Sequence, residues 1–292
     1  MKTAAFDYVR AGSTAEALAG LGNGRDARIL AGGQSLVPIM ALRLATPEVL
    51  IDITRCPELN THGAHEGVLT VGAAVTDGVL ERDPEVRATH PLLVRTLSLI
   101  AHPEIRARGT LCGSLAHADP AAELPALLMA TEGDVVVDGP AGVRHVPAVD
   151  FFPGPFTPAL DEGEMIVAAR LPTPGPGTGW AVEEISRRPG DFALAGVVCV
   201  VDLDGAGRCT RAGIGLFGVA STPVRARAAE EVLMGEQPSH SVLDAAAAAA
   251  FDDIDVQGDE VHASAAYRRT AGRALVRMAL GTAVRSASRG AA

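Results

Sequence analysis

A chain of 292 residues, 48% hydrophobic and carrying a formal net charge of -10, is globular and long enough for more than one core. The acidic balance argues against nucleic acid as the main partner, because phosphate neutralisation needs a basic face. No stretch approaches the roughly 20 consecutive apolar residues of a membrane span. The N-terminal "MKTAAFDYVRAGSTAEAL" has no apolar signal core, so the expected location is the cytoplasm.

In chain order, Ser13 and Glu16 stand at capping-box spacing ahead of a helix over "AEALAGL", which Gly22 and Gly24 stop. "RIL" predicts a short buried strand that runs into "AGGQSL", and "VLIDIT" (49–54) predicts a second strand. "THGAHEG" offers His62, His65 and Glu66, but its flanking glycines predict a loop rather than a metal site, and no metal ligands are assigned. "VLTVGAAVT" reads as a strand and "HPLLVRTLSLIA" as a helix. "GTLCGSLAHADPAAELPALLMA" opens as a second glycine-containing loop and continues into a helix that "EGD" ends. "DVVVDG", "VRHVPAVDFF" and "EMIVAARLP" are short strands.

"PTPGPGTG" (172–179), with three prolines and three glycines, is the linker between two domains. Beyond it, two long apolar strands flank "DGAG", a hairpin signal. Three helices follow, over "VRARAAEEVLMG", "VLDAAAAAAFDDI" and "AAYRRTAGRALVRMAL". The four cysteines form no C-x-x-C pair, so neither a structural zinc site nor an iron–sulfur cluster is expected within this chain.

The two glycine-containing loops carry the functional signal. Each lies ahead of a predicted helix, where unpaired backbone N–H groups and the helix dipole favour an anion. Two such loops, one per subdomain, can clamp a diphosphate from both sides. Gly32 and Gly33 let the backbone approach; Gln34, Ser35, Thr110, Gly113 and Ser114 supply donors. Neither loop has the spacing of the Rossmann fingerprint or of the nucleoside triphosphatase P-loop.

Taken together, "AGGQSLVPIMALRLATPEVLIDI" and "TLCGSLAHADPAAELPALLMA" resemble the paired flavin-binding motifs of the molybdenum hydroxylase flavoprotein subunits, the medium subunits of the carbon monoxide dehydrogenase and xanthine dehydrogenase family. "FDYVRAGSTAEALAGL", "SRRPGDFALAGV" and the helical C-terminus share the resemblance, which spans nearly the whole chain. It implies an α+β protein. An FAD-binding PCMH-type, vanillyl-alcohol-oxidase-like domain over 1–174, with subdomains of about 1–56 and 57–174, precedes a carbon monoxide dehydrogenase flavoprotein C-terminal-like domain over 178–286.

By the same resemblance, Leu30, Ala31, Gly32, Gly33, Gln34, Ser35 and Leu36 follow the FAD diphosphate and ribityl chain. Thr110, Gly113, Ser114, His117 and Glu123 contact flavin and phosphates. Asp119 either accepts from a ribose hydroxyl or caps the following helix, and Arg187 and Asp191 lie near the isoalloxazine edge. The FAD is non-covalent and no catalytic residue is expected in this chain. Molybdopterin and two-iron two-sulfur clusters belong to a large and a small partner subunit, in a dimer of heterotrimers. Electrons arrive from those clusters and leave to NAD, oxygen or a quinone.

Two departures stand out: Cys112 where the family more often has glycine, and Glu183-Glu184 where many members carry a cation. A stand-alone flavin oxidase is the alternative. It often needs a His or Cys near the first loop for covalent attachment, and "ILAGGQSLVPIM" holds neither.

Overall fold

A computed structural model describes residues 2–290. The first unit is a three-stranded parallel sheet in the order β1-β3-β2, built from β1 (Asp7–Arg10), β2 (Ala27–Leu30) and β3 (Val49–Asp52). Helix α1 (Thr14–Leu21) and the short α2 (Leu36–Ala41) make the crossovers. Ser13 caps α1 by accepting from the Glu16 N–H at 3.2 Å, whereas the Glu16 carboxylate reaches the Gly12 N–H at 2.7 Å instead of closing the reciprocal half of the box on Ser13.

The second unit is a five-stranded antiparallel sheet in the order β4-β5-β8-β6-β7. Its strands are β4 (His62–His65), β5 (Val68–Gly72), β6 (Asp134–Asp138), β7 (Arg144–Pro147) and β8 (Met165–Pro172). The segment expected as a loop, "THGAHEG", is therefore the edge strand β4. Its His62 pairs in register with Val71, and the tight turn at Glu66-Gly67 takes the irregularity that the glycines announced.

Between β5 and β6 run six helices: α3 (Asp77–Arg82), α4 (Pro84–Thr89), α5 (Pro91–Leu97), α6 (Pro103–Arg106), α7 (Leu111–His117) and α8 (Glu123–Ala130). Prolines open α4, α5 and α6, where a missing N–H costs nothing.

The third unit is an antiparallel sheet in the order β12-β11-β10-β9. Its strands are β9 (Gly179–Ser186), β10 (Ala193–Leu203), β11 (Cys209–Phe217) and β12 (Val224–Arg225). The hairpin expected around "DGAG" is present, with Val200 opposite Gly213. Strand β9 carries no such signal: "GWAVEEIS" interrupts its apolar alternation with two glutamates, and pairing with β10 is what makes it a strand.

Side-chain alternation along these strands separates two cores. Val182, Val198, Val200 and Phe217 join the core of the first two units, against α8. Ala181, Val197, Cys199 and Val201 face the other way, toward α9 (Arg227–Leu233), α10 (His240–Ala249) and α11 (Ala265–Gly290). All four cysteines, Cys56, Cys112, Cys199 and Cys209, are buried free thiols. Among the described residues no helix is long and apolar enough to cross a membrane.

Candidate functional site

Strand β2 delivers Leu30 beside Asp52 of β3, and the Leu30 carbonyl accepts from the Ile53 N–H at 3.1 Å. The chain then turns through Ala31–Ser35 into α2. Gly33 has φ of +72°, a left-handed conformation that glycine adopts without strain. The Gln34 side-chain amide folds back onto the Gly32 carbonyl at 3.0 Å. Among the described residues no acceptor takes the main-chain N–H of Gly33, Gln34, Ser35 or Leu36. The first bend thus leaves four main-chain donors unpaired.

Gly32 has a packing task that its sequence does not announce. A Cβ there would lie 2.1 Å from the Arg108 carbonyl oxygen and 2.8 Å from the Gly109 Cα. The space a side chain would need is filled by protein backbone, not kept for a ligand. The first bend is docked on residues 108–109, immediately ahead of Thr110. The two glycine-containing segments therefore meet.

The second segment is not a loop. Thr110 is the N-cap of α7: its hydroxyl accepts from the Gly113 N–H at 2.9 Å, and Gly113 and Ser114 lie inside the helix. Cys112 sits within α7, buried, with its thiol directed at the Val71 carbonyl at 3.6 Å. The left-handed non-glycine residues do not include it, so a cysteine at this position brings no backbone strain. Burial pushes its thiol well above the usual range.

Helix α7 ends at Ala118 with φ of +52°, and the Ala118 carbonyl accepts from Phe156, itself at φ of +53°, at 3.0 Å. The exposed Phe156 ring lies 5.3 Å from that of His117. Burial holds the His117 imidazole below its ordinary pKa, hence neutral at pH 7. Asp119 does not cap α8. It closes a turn ahead of it by accepting from the Ala121 N–H at 2.9 Å, while Ala122 is the N-cap. Glu123 opens α8, is buried, and is pushed up to about 8 by that burial.

Arg187 and Asp191 lie on the exposed loop after β9. The Arg187 guanidinium donates to the Val261 carbonyl and, at 3.4 Å, to that of His262. The same loop reaches the first domain at Gly190, where a Cβ would lie 3.0 Å from the Ala101 carbonyl oxygen.

Residues 101–109 thus form a hub that sequence reasoning missed. One end supports the loop from the C-terminal domain, the other supports the first bend and leads into α7. Ala101 holds φ of +42°, an unusual conformation for alanine. Asp77, at the start of α3, lies beneath this hub. Its N–H donates to the Gly109 carbonyl at 2.8 Å, its Oδ1 is buried without a partner, and burial pushes it up to about 7. The glycine-free string "IAHPEIRAR" offers no motif for any of this.

Two cavities lie elsewhere. An enclosed one of about 30 Å³ is lined by His90, Thr173, Trp180 and Arg211. An open cleft of about 570 Å³ lies between α1 and strands β6 and β8, lined by Thr14, Leu18, Asp138 and Ala168. Neither is lined by the two bends, and the candidate site is described by its donors and its docking.

A family described as the FAD binding domain in molybdopterin dehydrogenase matches residues 4–174, and one described as the CO dehydrogenase flavoprotein C-terminal domain matches residues 180–283. The 6-hydroxypseudooxynicotine dehydrogenase complex subunit alpha of Paenarthrobacter nicotinovorans is 39% identical, over 98% of this chain and 97% of that protein. The carbon monoxide dehydrogenase medium chain of Hydrogenophaga pseudoflava is 39% identical, over 95% and 96%. A solved structure of carbon monoxide dehydrogenase from Hydrogenophaga pseudoflava superimposes with a TM-score of 0.95 at 40% identity, covering 98% of this chain and 99% of that one.

Proposed function

The chain belongs to the FAD-binding medium subunits of the molybdenum hydroxylase family, and from that premise we propose that it serves as the flavoprotein component of a multi-subunit dehydrogenase. Bound FAD supplies two-electron redox chemistry, linking iron–sulfur clusters on a partner subunit to an external acceptor: NAD, oxygen or a quinone. The partners are a small iron–sulfur subunit and a large molybdopterin subunit, assembled as a dimer of heterotrimers in the cytoplasm. The substrate is chosen on the large subunit. Relatives at the same 39% identity are named for carbon monoxide and for 6-hydroxypseudooxynicotine, so similarity along this chain singles out neither substrate.

The residues divide the work of holding FAD. Leu30–Leu36 lie along the diphosphate, with the N–H groups of Gly33–Leu36 and the side chains of Gln34 and Ser35 as donors. Backbone N–H groups at a helix start bind phosphate without a side-chain cation, which suits a chain this acidic. Thr110, Gly113, Ser114 and His117 present α7 from the other side, with Asp119 and Glu123 beyond. Arg187 and Asp191 close over the ring system from the C-terminal domain. Neutral His117 can donate or accept a hydrogen bond without changing charge.

One observation carries the reading: the donor-rich bend at Gly32–Leu36 is docked on Arg108–Gly109, next to the head of α7. The test is the visible spectrum of the purified chain. The expected protein is yellow, loses its flavin on denaturation, and takes up one equivalent of FAD when the stripped form is reconstituted. A colourless chain that takes up no FAD overturns the proposal.

A further inference from the structure

One side chain gathers the hub at residues 101–109. Arg106, the last residue of α6, is buried and makes four side-chain hydrogen bonds. Its Nε and Nη2 donate to the two carboxylate oxygens of Glu81 on α3, at 3.0 and 3.1 Å, as a bidentate fork. Its Nη1 donates to the Ile100 carbonyl at 2.9 Å and to the Ala101 carbonyl at 3.3 Å. A planar guanidinium can serve a carboxylate and two carbonyls at once, whereas a lysine ammonium offers one compact point charge.

Each end of the hub carries a neighbour that has no slack. At one end, a Cβ at Gly190 would lie 3.0 Å from the Ala101 carbonyl oxygen, the same oxygen that Arg106 holds, and 3.0 Å from the His102 ring. At the other end, Gly32 is pressed against the Arg108 carbonyl and the Gly109 Cα. Between the ends lies only the four-residue α6, continued by a bond from the Gly109 N–H to the Ile105 carbonyl at 2.7 Å. A helix of one turn has almost no stability of its own, so its shape is imposed from outside. The outside support is α3. Gly78 lets it approach so closely that a Cβ there would lie 3.2 Å from the Arg106 carbonyl oxygen, and the Asp77 N–H bonds the Gly109 carbonyl at 2.8 Å. The Arg106–Glu81 fork is the side-chain tie between α3 and the hub, and the same guanidinium reaches back to the left-handed turn at Ala101.

We infer that Arg106 is a positioning residue for FAD binding: by joining Glu81 of α3 to the carbonyls of Ile100 and Ala101, it holds the hub in the shape that seats the donor bend at Gly32 and the C-terminal loop at Gly190 together. This rests on the FAD reading above. Arg106 acts through backbone that it supports, on both sides of the seam between the domains. Loosening it moves two supports with one change, and the four main-chain donors of the first bend lose their fixed direction.

The experiment uses the full-length chain stripped of flavin, with FAD affinity read by quenching of flavin fluorescence and stability by calorimetry. Removing Arg106 alone would strand the Glu81 carboxylate, so both partners are exchanged, Glu81→Met with Arg106→Met; replacing a buried pair by apolar residues of similar volume leaves stability nearly unchanged. The double variant is expected to melt close to the wild type and to bind FAD about tenfold more weakly. Arg106→Lys keeps the charge without the fork, should weaken FAD binding as well, and carries the test if the double variant does not fold. The same exchange at Arg144 and Glu164, a second bidentate pair on the far sheet, should leave FAD affinity unchanged. Two mutant cycles probe the two ends of the hub. Gly32→Ala and Gly190→Ala should each weaken FAD binding by a smaller factor in the Arg106→Lys background than in the wild type, because the contact each disturbs is already loose. Wild-type affinity in either Arg106 variant, an equal loss in the Arg144 control, or additive effects at either end overturns the inference and leaves the FAD reading intact. Failure of the wild type to take up FAD overturns both.

Discussion

The bend at Gly32–Leu36 and the segment Leu111–His117 lie together in space and use their backbones in opposite ways. The first leaves its amides unpaired and is held from outside, by contact of Gly32 with Arg108 and Gly109. The second is a helix with its own cap, the Thr110 hydroxyl on the Gly113 N–H. The first is therefore rigid because of where it rests, the second because of its own hydrogen bonds. A ligand adds bonds to the first, whereas on α7 it meets mainly side chains. The difference teaches which substitutions should cost FAD binding and which should cost stability.

The sharpest way to break the contrast is Gly32→Ala. The added carbon would sit 2.1 Å from the Arg108 oxygen, so the first bend must lift away from residues 108–109. Overpacking of this kind costs about 1–3 kcal/mol. The protein should be purified with little or no bound flavin and melt several degrees lower, as read by absorbance and calorimetry. Retention of full flavin content would show that the docking is dispensable.

Asp77 tests the support beneath the second segment. Its carboxyl has a pKa of about 7 in the folded chain, against 3.8 for the ordinary group. Between those values the unfolded chain has lost the proton that the folded chain still binds, so stability falls as pH rises through this window and levels off above it. Asp77→Asn removes the penalty. It should stabilise the protein by about 2 kcal/mol at pH 8 and change little at pH 4. Chemical denaturation at the two values checks both the size and the sign.

Thr110→Ala removes the cap of α7 and should cost about 1 kcal/mol, with Thr110→Ser restoring most of it. Ser35 is the counterpart in the first bend. It makes no side-chain cap bond to α2, so Ser35→Ala should change stability by less than about 0.5 kcal/mol. Its effect should instead appear as a modest weakening of FAD affinity. If Ser35→Ala destabilises the chain as much as Thr110→Ala does, the contrast between the two segments fails.

Much of this was legible in the residues. The Gly-Gly turn after "RIL", the hairpin at "DGAG" and the resemblance carried by the two glycine motifs all follow from local chemistry and spacing. What escaped has physical causes. Strand β9 is hidden because Glu183 and Glu184, one on each face, break its apolar alternation. Helix α7 reads as a loop because Gly113 weakens helix propensity by nearly 1 kcal/mol, and the Thr110 cap together with the buried Leu111, Cys112 and Leu115 outweigh that. Ala101 reveals nothing of its left-handed backbone, since tertiary contacts impose it. The packing of Gly32 on Arg108 and Gly109 is hidden for the same reason: a missing side chain does not say whether a ligand or another backbone fills the gap.

The four buried thiols give the chain an internal clock. Burial raises each of them, Cys199 to about 12 and Cys209 to about 11, so at neutral pH almost none is in the reactive thiolate form. A thiol-specific reagent will report when each region opens: Cys112 for the ground beneath α7, Cys56 for the first unit, Cys199 and Cys209 for the C-terminal sheet. If FAD staples the first two units together, adding it should delay labelling of Cys56 and Cys112 more than that of the other two.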